Sequence, residues 1–325
     1  MVAQHEVIKQ ETRKELGRTG ILVSPMGLGA WQWGDRFLWK FGQGYDETDV
    51  RSAFESTLAS GINFVDTAEL YGLGRSERLL GKFIRDLDPI HPNSIVIATK
   101  FAPMPWRLTK GGLLHALQAS INRIEVSPVD LYQIHFPLLV RSIETWMAAM
   151  AEAVRKGMTR AVGVSNFSLE QTRQVFDLLQ RRGIPLASNQ VEYNLLNRNI
   201  ERQGLLNYCL ENGISIIAYS PLAQGVLTGK YSPDHIPPGA RGRKYDRQYL
   251  EKIQPLLSLM REIGQEHGGK TPAQISLNWL ITKGVIPIPG AKNAVQAVQN
   301  SGALGWHLSA EEMLALEKAA DNGIV

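Results

Sequence analysis

Cysteine is almost absent, since Cys209 is the only one among 325 residues. A single thiol excludes an intrachain disulfide and a thiolate metal cluster. Its setting, Gly204-Leu205-Leu206-Asn207-Tyr208-Cys209-Leu210, is spaced like a helix, which favours a buried structural thiol over a nucleophile. Long hydrophobic runs are also missing. No stretch approaches the ~18 apolar residues a membrane span needs. Residues 1–14 are polar, without the apolar core of a signal peptide, so a cytoplasmic location is expected. Excess charge of one sign is weak: the net charge is +4 with a pI near 9.1, too little and too dispersed to argue for nucleic acid. The densest basic stretch is Arg241-Gly242-Arg243-Lys244, inside a Pro/Gly-rich segment. It reads as a solvated loop, with a loop folding over a phosphate-bearing ligand as the alternative. No complete glycine fingerprint for a dinucleotide is present. Gly27-Leu28-Gly29 and Gly72-Leu73-Gly74 both lack the third glycine and read as tight turns.

What is present is alternation. Short apolar runs at 25–29, 63–66, 95–100, 131–135, 161–164, 187–191, 215–219 and 285–289 read as strands. Between and after them, helical patterns cover 46–60, 76–85, 109–125, 142–156, 168–182, 201–212, 249–267, 271–283, 293–300 and 309–321. Ser76 is the expected N-cap of the second helix, and Ser309 with Glu312 has capping-box spacing. Strict strand–helix alternation implies parallel strands, because parallel neighbours need helical crossovers. Eight repeats predict a closed (β/α)8 TIM barrel rather than a doubly wound open sheet. Residues 14–23 read as an N-terminal β-hairpin across the barrel's bottom, with extra helices at the C-terminal end. No linker divides the chain, so residues 1–325 are expected to form one domain.

Four polar side chains sit at or just past strand ends: Asp66, Tyr71, Lys100 and His135. Parallel strands bring such positions together at the carboxyl end of a barrel, where α/β folds build their sites. A tyrosine hydroxyl, with an ordinary pKa of about 10, donates a proton near neutrality if its phenolate is stabilised. A neighbouring Lys does that, and a buried Lys needs a counter-ion, for which Asp66 is placed. His135 can hydrogen-bond a substrate oxygen. The set holds a proton donor and no nucleophile, which suits reduction of a carbonyl. A metal-dependent hydrolase would need more His, Asp or Glu at strand ends than Asp66 and His135 supply, and no metal is expected.

The chain resembles the aldo-keto reductase family over nearly its whole length. Gly61-Ile62-Asn63-Phe64-Val65-Asp66-Thr67-Ala68 with Glu77-Arg78-Leu79-Leu80-Gly81 looks like the family's first signature. Asp130-Leu131-Tyr132-Gln133-Ile134-His135 followed by Gly163-Val164-Ser165-Asn166-Phe167 looks like its middle section. Within the family the chain is similar to a cyanobacterial and plant-plastid branch, and more distantly to potassium-channel β-subunits. The resemblance implies a TIM barrel, NADPH as hydride donor and Asp66, Tyr71, Lys100 and His135 as the catalytic tetrad.

It also implies a cofactor site. Ser165, Asn166 and Gln190 would hold the nicotinamide amide, and Tyr219 would stack on its ring. Ser220, Leu222, Gly225 and Lys230 lie in a segment suited to a pyrophosphate. Gly29, Trp31 and Asp66 are further expected contacts. After the last strand, Gly290 and Lys292 open a helix whose N-terminus favours a 2′-phosphate, with Gln296 and Asn300 facing the adenine. The Lys expected at Gly290 and the Arg expected at Gln296 are absent. That leaves Lys292 as the obvious cation and predicts a modest preference for NADPH over NADH. Trp33, Trp39, Phe41 and Trp106 are expected to line an aromatic mouth, with Trp33, Trp106 and His135 meeting a flat or apolar carbonyl. The rival reading is an NADPH-sensing regulatory subunit of the same fold. The intact tetrad favours the enzyme.

Overall fold

A short antiparallel hairpin opens the fold, β1 (Lys14–Glu15) against β2 (Leu22–Val23), with Lys14 opposite Val23. The computed structural model describes residues 13–37, 39–87, 95–104, 107, 109–137 and 141–324. Eight further strands follow: β3 (Gly27–Gly29), β4 (Phe64–Asp66), β5 (Val96–Phe101), β6 (Val129–Ile134), β7 (Thr159–Ser165), β8 (Leu186–Glu192), β9 (Ser215–Tyr219) and β10 (Ile286–Pro287). They pair in sequence order in one eight-stranded sheet, every pair parallel. The two edges meet at Gly29 and Gly290, where Gly29 N–H donates to the Pro289 carbonyl at 3.0 Å. Only glycine allows this closure, because a Cβ on Gly29 would lie 2.8 Å from the Ile288 carbonyl oxygen.

The helices that cover this TIM barrel are α1 (Glu47–Ala59), α2 (Arg75–Arg85), α3 (Lys110–Ile124), α4 (Ile143–Arg155) and α5 (Leu169–Gln180). Next come α6 (Asn199–Arg202), α7 (Leu205–Glu211), α8 (Ala240–Lys244), α9 (Arg247–Lys252), α10 (Gln254–Glu266), α11 (Pro272–Thr282), α12 (Ala294–Ser301) and α13 (Ala310–Ile324). Side-chain caps start many of them, including the Asp46–Asp49 capping box of α1 and the Thr271–Gln274 box of α11. Ser76 is not the cap expected of it. Gly74, at φ 79°, precedes α2 instead, and the Ser76 hydroxyl donates to the Ala30 carbonyl at 2.9 Å. The helix expected over 249–267 is two, α9 and α10, meeting at Ile253.

Two cores result from the period-2 pleat of the strands. Outward residues such as Tyr132, Ile134 and Val164 join the helices in a large shell. Inward residues, among them Phe64, Ala98, Leu131, Ala161 and Ile217, pack against Leu16, Ile21 and Val23 of the hairpin segment, which plugs the bottom. Two residues further along the same inward rows the chemistry changes. Phe64 gives way to Asp66, Ala98 to Lys100, Leu131 to Gln133, and Ile217 to Tyr219. The barrel is therefore apolar at its base and polar at its carboxyl end.

Candidate active site

Lys100 is fully buried and its ammonium has three partners. It pairs with Asp66 Oδ1, donates to the Thr67 carbonyl at 2.9 Å, and donates to the Tyr71 hydroxyl at 3.2 Å. The other Asp66 oxygen accepts from Gln190 at 2.8 Å and from Gln133 at 3.1 Å. Asp66 is thus satisfied on both oxygens, as a buried carboxylate must be. Burial works against the Lys100 ammonium, but Asp66 and Tyr71 outweigh it and the pKa goes up, so Lys100 stays charged. The Tyr71 phenol is pushed up by burial, with Lys100 opposing and Asp66 assisting. Tyr71 keeps its proton through the physiological range, with the Lys100 ammonium beside its hydroxyl. The ring of His135 lies edge-on to Tyr71 with centroids 5.7 Å apart. Burial, helped by the Lys100 charge, drops its pKa from 6.5 to about 3, so the imidazole is neutral. Its Nδ1 is buried without a hydrogen-bond partner.

Beside this cluster, Ser165 donates to the Gln190 carbonyl at 2.8 Å. The Asn166 amide donates to the His135 carbonyl at 3.2 Å and to Ser165 Oγ at 3.1 Å, while its oxygen accepts from Tyr219 at 2.9 Å. Asn166 is held at φ 63°, a left-handed conformation that asparagine tolerates. The same conformation recurs after β9 at Ser220 (49°), Ala223 (47°) and Gln224 (55°), where Asn194 braces the Ser220 carbonyl at 2.9 Å. Backbone strain of this kind collects where a chain is shaped for a ligand. Gly225, at φ 96°, faces the Lys230 side chain. Leu222 packs with Met26, Ile62 and Leu277.

Beyond Trp31, which meets Trp39 with ring centroids 5.5 Å apart, cations gather on aromatic faces. Lys292 Nζ lies 4.2 Å from the Tyr45 ring centroid and 5.4 Å from that of Trp39, and Arg241 stands 5.6 Å from Trp39. Among the described residues no carboxylate pairs with Lys292, Arg241 or Lys230. Burial, then Arg241 and Lys230, pull the Lys292 pKa down. Lys292 is therefore not the lone cation expected. Arg241, one of three cations in the basic run read as solvated loop, folds inward, whereas Arg243 is exposed and Lys244 pairs outward with Glu192 at 3.6 Å.

The site and the fold agree with sequence similarity. The aldo/keto reductase family model matches residues 25–321. The chain belongs to that family. It is 42% identical over 308 residues to the chloroplastic pyridoxal reductase of Arabidopsis thaliana, a match spanning 92% of this chain and 83% of the relative. The aldo/keto reductase of Klebsiella pneumoniae, solved in complex with NADP and acetate, superimposes with a TM-score of 0.73 at 28% identity, covering 94% of both chains. The glycerol dehydrogenase of Gluconobacter oxydans gives 0.82 at 25% identity, covering 98% of both. No helix among the described residues is long and apolar enough to cross a membrane.

Some expected site residues are placed elsewhere. Trp33 is fully buried in the helical shell against Phe54 and Phe83, with its indole N–H on the Ala291 carbonyl at 3.1 Å, so it does not reach the mouth. Its apolar bulk and the position of α1 and α2 draw it inward. Trp31, partly exposed, does face Tyr71, with centroids 6.2 Å apart. Trp39 sits with the cations, and Phe41 packs edge-on to Tyr45 at 5.6 Å. Trp106 lies outside the described residues. Gln296 does not point away from its loop: its side chain accepts from the Lys292 N–H at 2.9 Å, and Asn300 reaches the Gly290 carbonyl at 3.4 Å. A Cβ at Gly290 would meet the Gln32 amide, so a lysine there needs that side chain to turn aside. Sequence reasoning missed Gln133, and it gave the basic run at Arg241 a phosphate-binding loop only as its alternative reading. Gln133 was visible as the polar inward position two residues before His135, whereas the basic run at 241–244 marks a cluster without showing that Arg241 is the member that turns inward.

Proposed function

We propose that this chain reduces aldehydes or ketones to alcohols with NADPH, as a single-domain cytoplasmic enzyme. The observation that carries the reading is a tyrosine hydroxyl 3.2 Å from a buried lysine that is itself paired with Asp66. Tyr71 donates the proton to the carbonyl oxygen as general acid. Lys100 stabilises the phenolate left behind, and Asp66, held by Gln133 and Gln190, keeps Lys100 charged and in place. Neutral His135 offers a ring N–H to the same carbonyl oxygen and orients it.

Bound NADPH would supply the hydride. The residues present fit that group: unneutralised cations converge at one rim, and left-handed backbone frames the loop between it and the barrel mouth. Ser165, Asn166 and the carbonyl oxygen of Gln190 suit the carboxamide, since the Gln190 NH2 is committed to Asp66 and Gln133. Tyr219 offers a ring for stacking. Ser220, Leu222, Gly225 and Lys230 suit the pyrophosphate, and Gly29 and Trp31 are further candidate contacts. Lys292 and Arg241 suit a 2′-phosphate, with Gln296 and Asn300 bracing the Gly290–Lys292 turn. With two cations at this rim, the preference for NADPH over NADH is stronger than Lys292 alone would give.

Trp31 beside Tyr71 suits a flat carbonyl compound. Pyridoxal, methylglyoxal and aromatic aldehydes form the panel to assay. The direct test is steady-state consumption of NADPH with 4-nitrobenzaldehyde. Wild-type protein should turn over, and Tyr71→Phe should bind NADPH with unchanged affinity yet lose turnover. Equal turnover in both proteins refutes the catalytic reading and leaves the NADPH-sensing alternative.

A further inference from the structure

Tyr71 and Lys100 come from different elements. Tyr71 lies in the turn between β4 and α2, and Lys100 is on β5. Their 3.2 Å contact exists only if that turn is held at a set height along β5. Two buried glutamates do this, one on each side of Tyr71 in sequence and attached on each side of Lys100. Glu69, in the turn itself, is 8% exposed, and its Oε1 accepts from the Ala102 N–H at 2.8 Å. Glu77, on α2, is 0% exposed, and its Oε1 accepts from the Thr99 hydroxyl at 2.6 Å.

Each carboxylate is also tied to an arginine that follows β5 in sequence. Arg107 donates to Glu69 at 2.6 Å, and Arg123 on α3 donates to Glu77 Oε2 at 2.6 Å. Arg123 is itself fixed by Ser120 at 3.0 Å. The Tyr132 hydroxyl, buried without a partner, feels the charge of both glutamates and both arginines, so the two ion pairs enclose one patch of the helical shell. Alternation on β5 makes the arrangement work. Lys100 points into the barrel, whereas Thr99 points out and is free for Glu77.

Burying two glutamates against half-buried arginines is a poor way to gain stability, because desolvation offsets much of their attraction. Fixing geometry is what such pairs do well when every polar group is met. We propose that Glu69 and Glu77 are positioning residues that clamp the Tyr71 turn onto β5 and hold the phenol within hydrogen-bond distance of Lys100. The proposal rests on the carbonyl-reductase reading for its kinetic consequence, but the clamp is a statement about Tyr71 alone and is measurable without turnover.

Three variants probe it. Glu69→Ala removes one anchor, and Glu69→Gln restores the acceptor for Ala102. Thr99→Val removes the second anchor and leaves the Glu77–Arg123 pair intact, so folding is least disturbed. The readout is the titration of Tyr71 by fluorine NMR of fluorotyrosine-labelled protein, with its signal assigned by Tyr71→Phe. Removing a nearby carboxylate by itself would lower the phenol's pKa. Losing the Lys100 contact raises it. The clamp therefore predicts an upward shift in Glu69→Ala and Thr99→Val, with Glu69→Gln near wild type. It also predicts a fall in kcat of about tenfold, as for a displacement of a fraction of an ångström at a reacting group, with NADPH affinity within twofold. An unmoved Tyr71 titration in both anchor variants, whatever happens to the melting temperature, overturns the proposal. A shifted titration in a protein that reduces no carbonyl leaves the clamp standing and removes the reductase reading instead.

Discussion

The two ends of the candidate site treat charge in opposite ways. On the proton side, Lys100 and Asp66 are buried and answered by each other, by Gln133 and Gln190, and by the Thr67 carbonyl. On the side proposed for the phosphate, Lys292 and Arg241 lie on the rings of Tyr45 and Trp39 and meet no carboxylate among the described residues. A group that must change charge during a reaction needs its surroundings fixed beforehand, because reorganising them raises the barrier. A group that must bind an anion from solution needs its charge left unneutralised. Aromatic faces suit the second task, since they hold a cation without cancelling it.

Lys100→Met should break the proton side hardest. It removes phenolate stabilisation and leaves Asp66 buried without its counter-ion. Activity is expected to fall ~10²–10⁴-fold, with a loss of about 3–5 kcal/mol in urea unfolding, while NADPH still binds to the remaining protein. Retained stability would mean that the Lys100–Asp66 pair contributes little to folding. Trp33→Ala probes the helical shell between the two ends. It should lower stability by about 3–5 kcal/mol and leave KM for aldehydes unchanged in the folded fraction. A raised KM with little loss of stability would restore Trp33 to the mouth.

The phosphate side should respond more gently. Arg241→Ala and Lys292→Ala are each expected to weaken NADPH by about tenfold, or ~1.4 kcal/mol, and NADH far less, as fluorescence titration would show. Equal weakening of both cofactors would remove the 2′-phosphate assignment. A further effect concerns pH. His135 is neutral when folded down to about pH 3 but takes a proton below about 6.5 when unfolded. The unfolded state therefore binds more protons in that window, and stability should fall as pH drops from 6.5 toward 3. His135→Asn should flatten that part of a pH-dependent unfolding series. An unchanged slope would place the imidazole in solvent.

The same contrast explains what could be read from sequence. Asp66, Lys100 and His135 are legible because each ends a buried strand, and parallel strands with one period bring such ends together. Tyr71 is legible because it sits five residues beyond Asp66, in the turn that the strand leads into. Gln133 follows from the same pleat, although a glutamine in an apolar run reads more easily as an exception than as a ligand of Asp66. The rim obeys no such period. Arg241 and Lys292 are 51 positions apart in the chain and meet only because the segment after β9 folds back over Trp39. Trp33 and Trp31 are separated by one residue, yet one is buried under the helices and the other faces the mouth. A loop has no pleat to decide which.

The central claim is that Tyr71 gives the proton. Single-turnover reaction of NADPH-loaded protein with 4-nitrobenzaldehyde, followed across pH in wild type and Tyr71→Phe, tests it most directly. The account predicts a wild-type rate that falls at high pH as the phenol ionises, and a Tyr71→Phe rate lower by ~10²–10⁴-fold without that fall. A Tyr71→Phe protein that transfers hydride at the wild-type rate with the same pH dependence would contradict it.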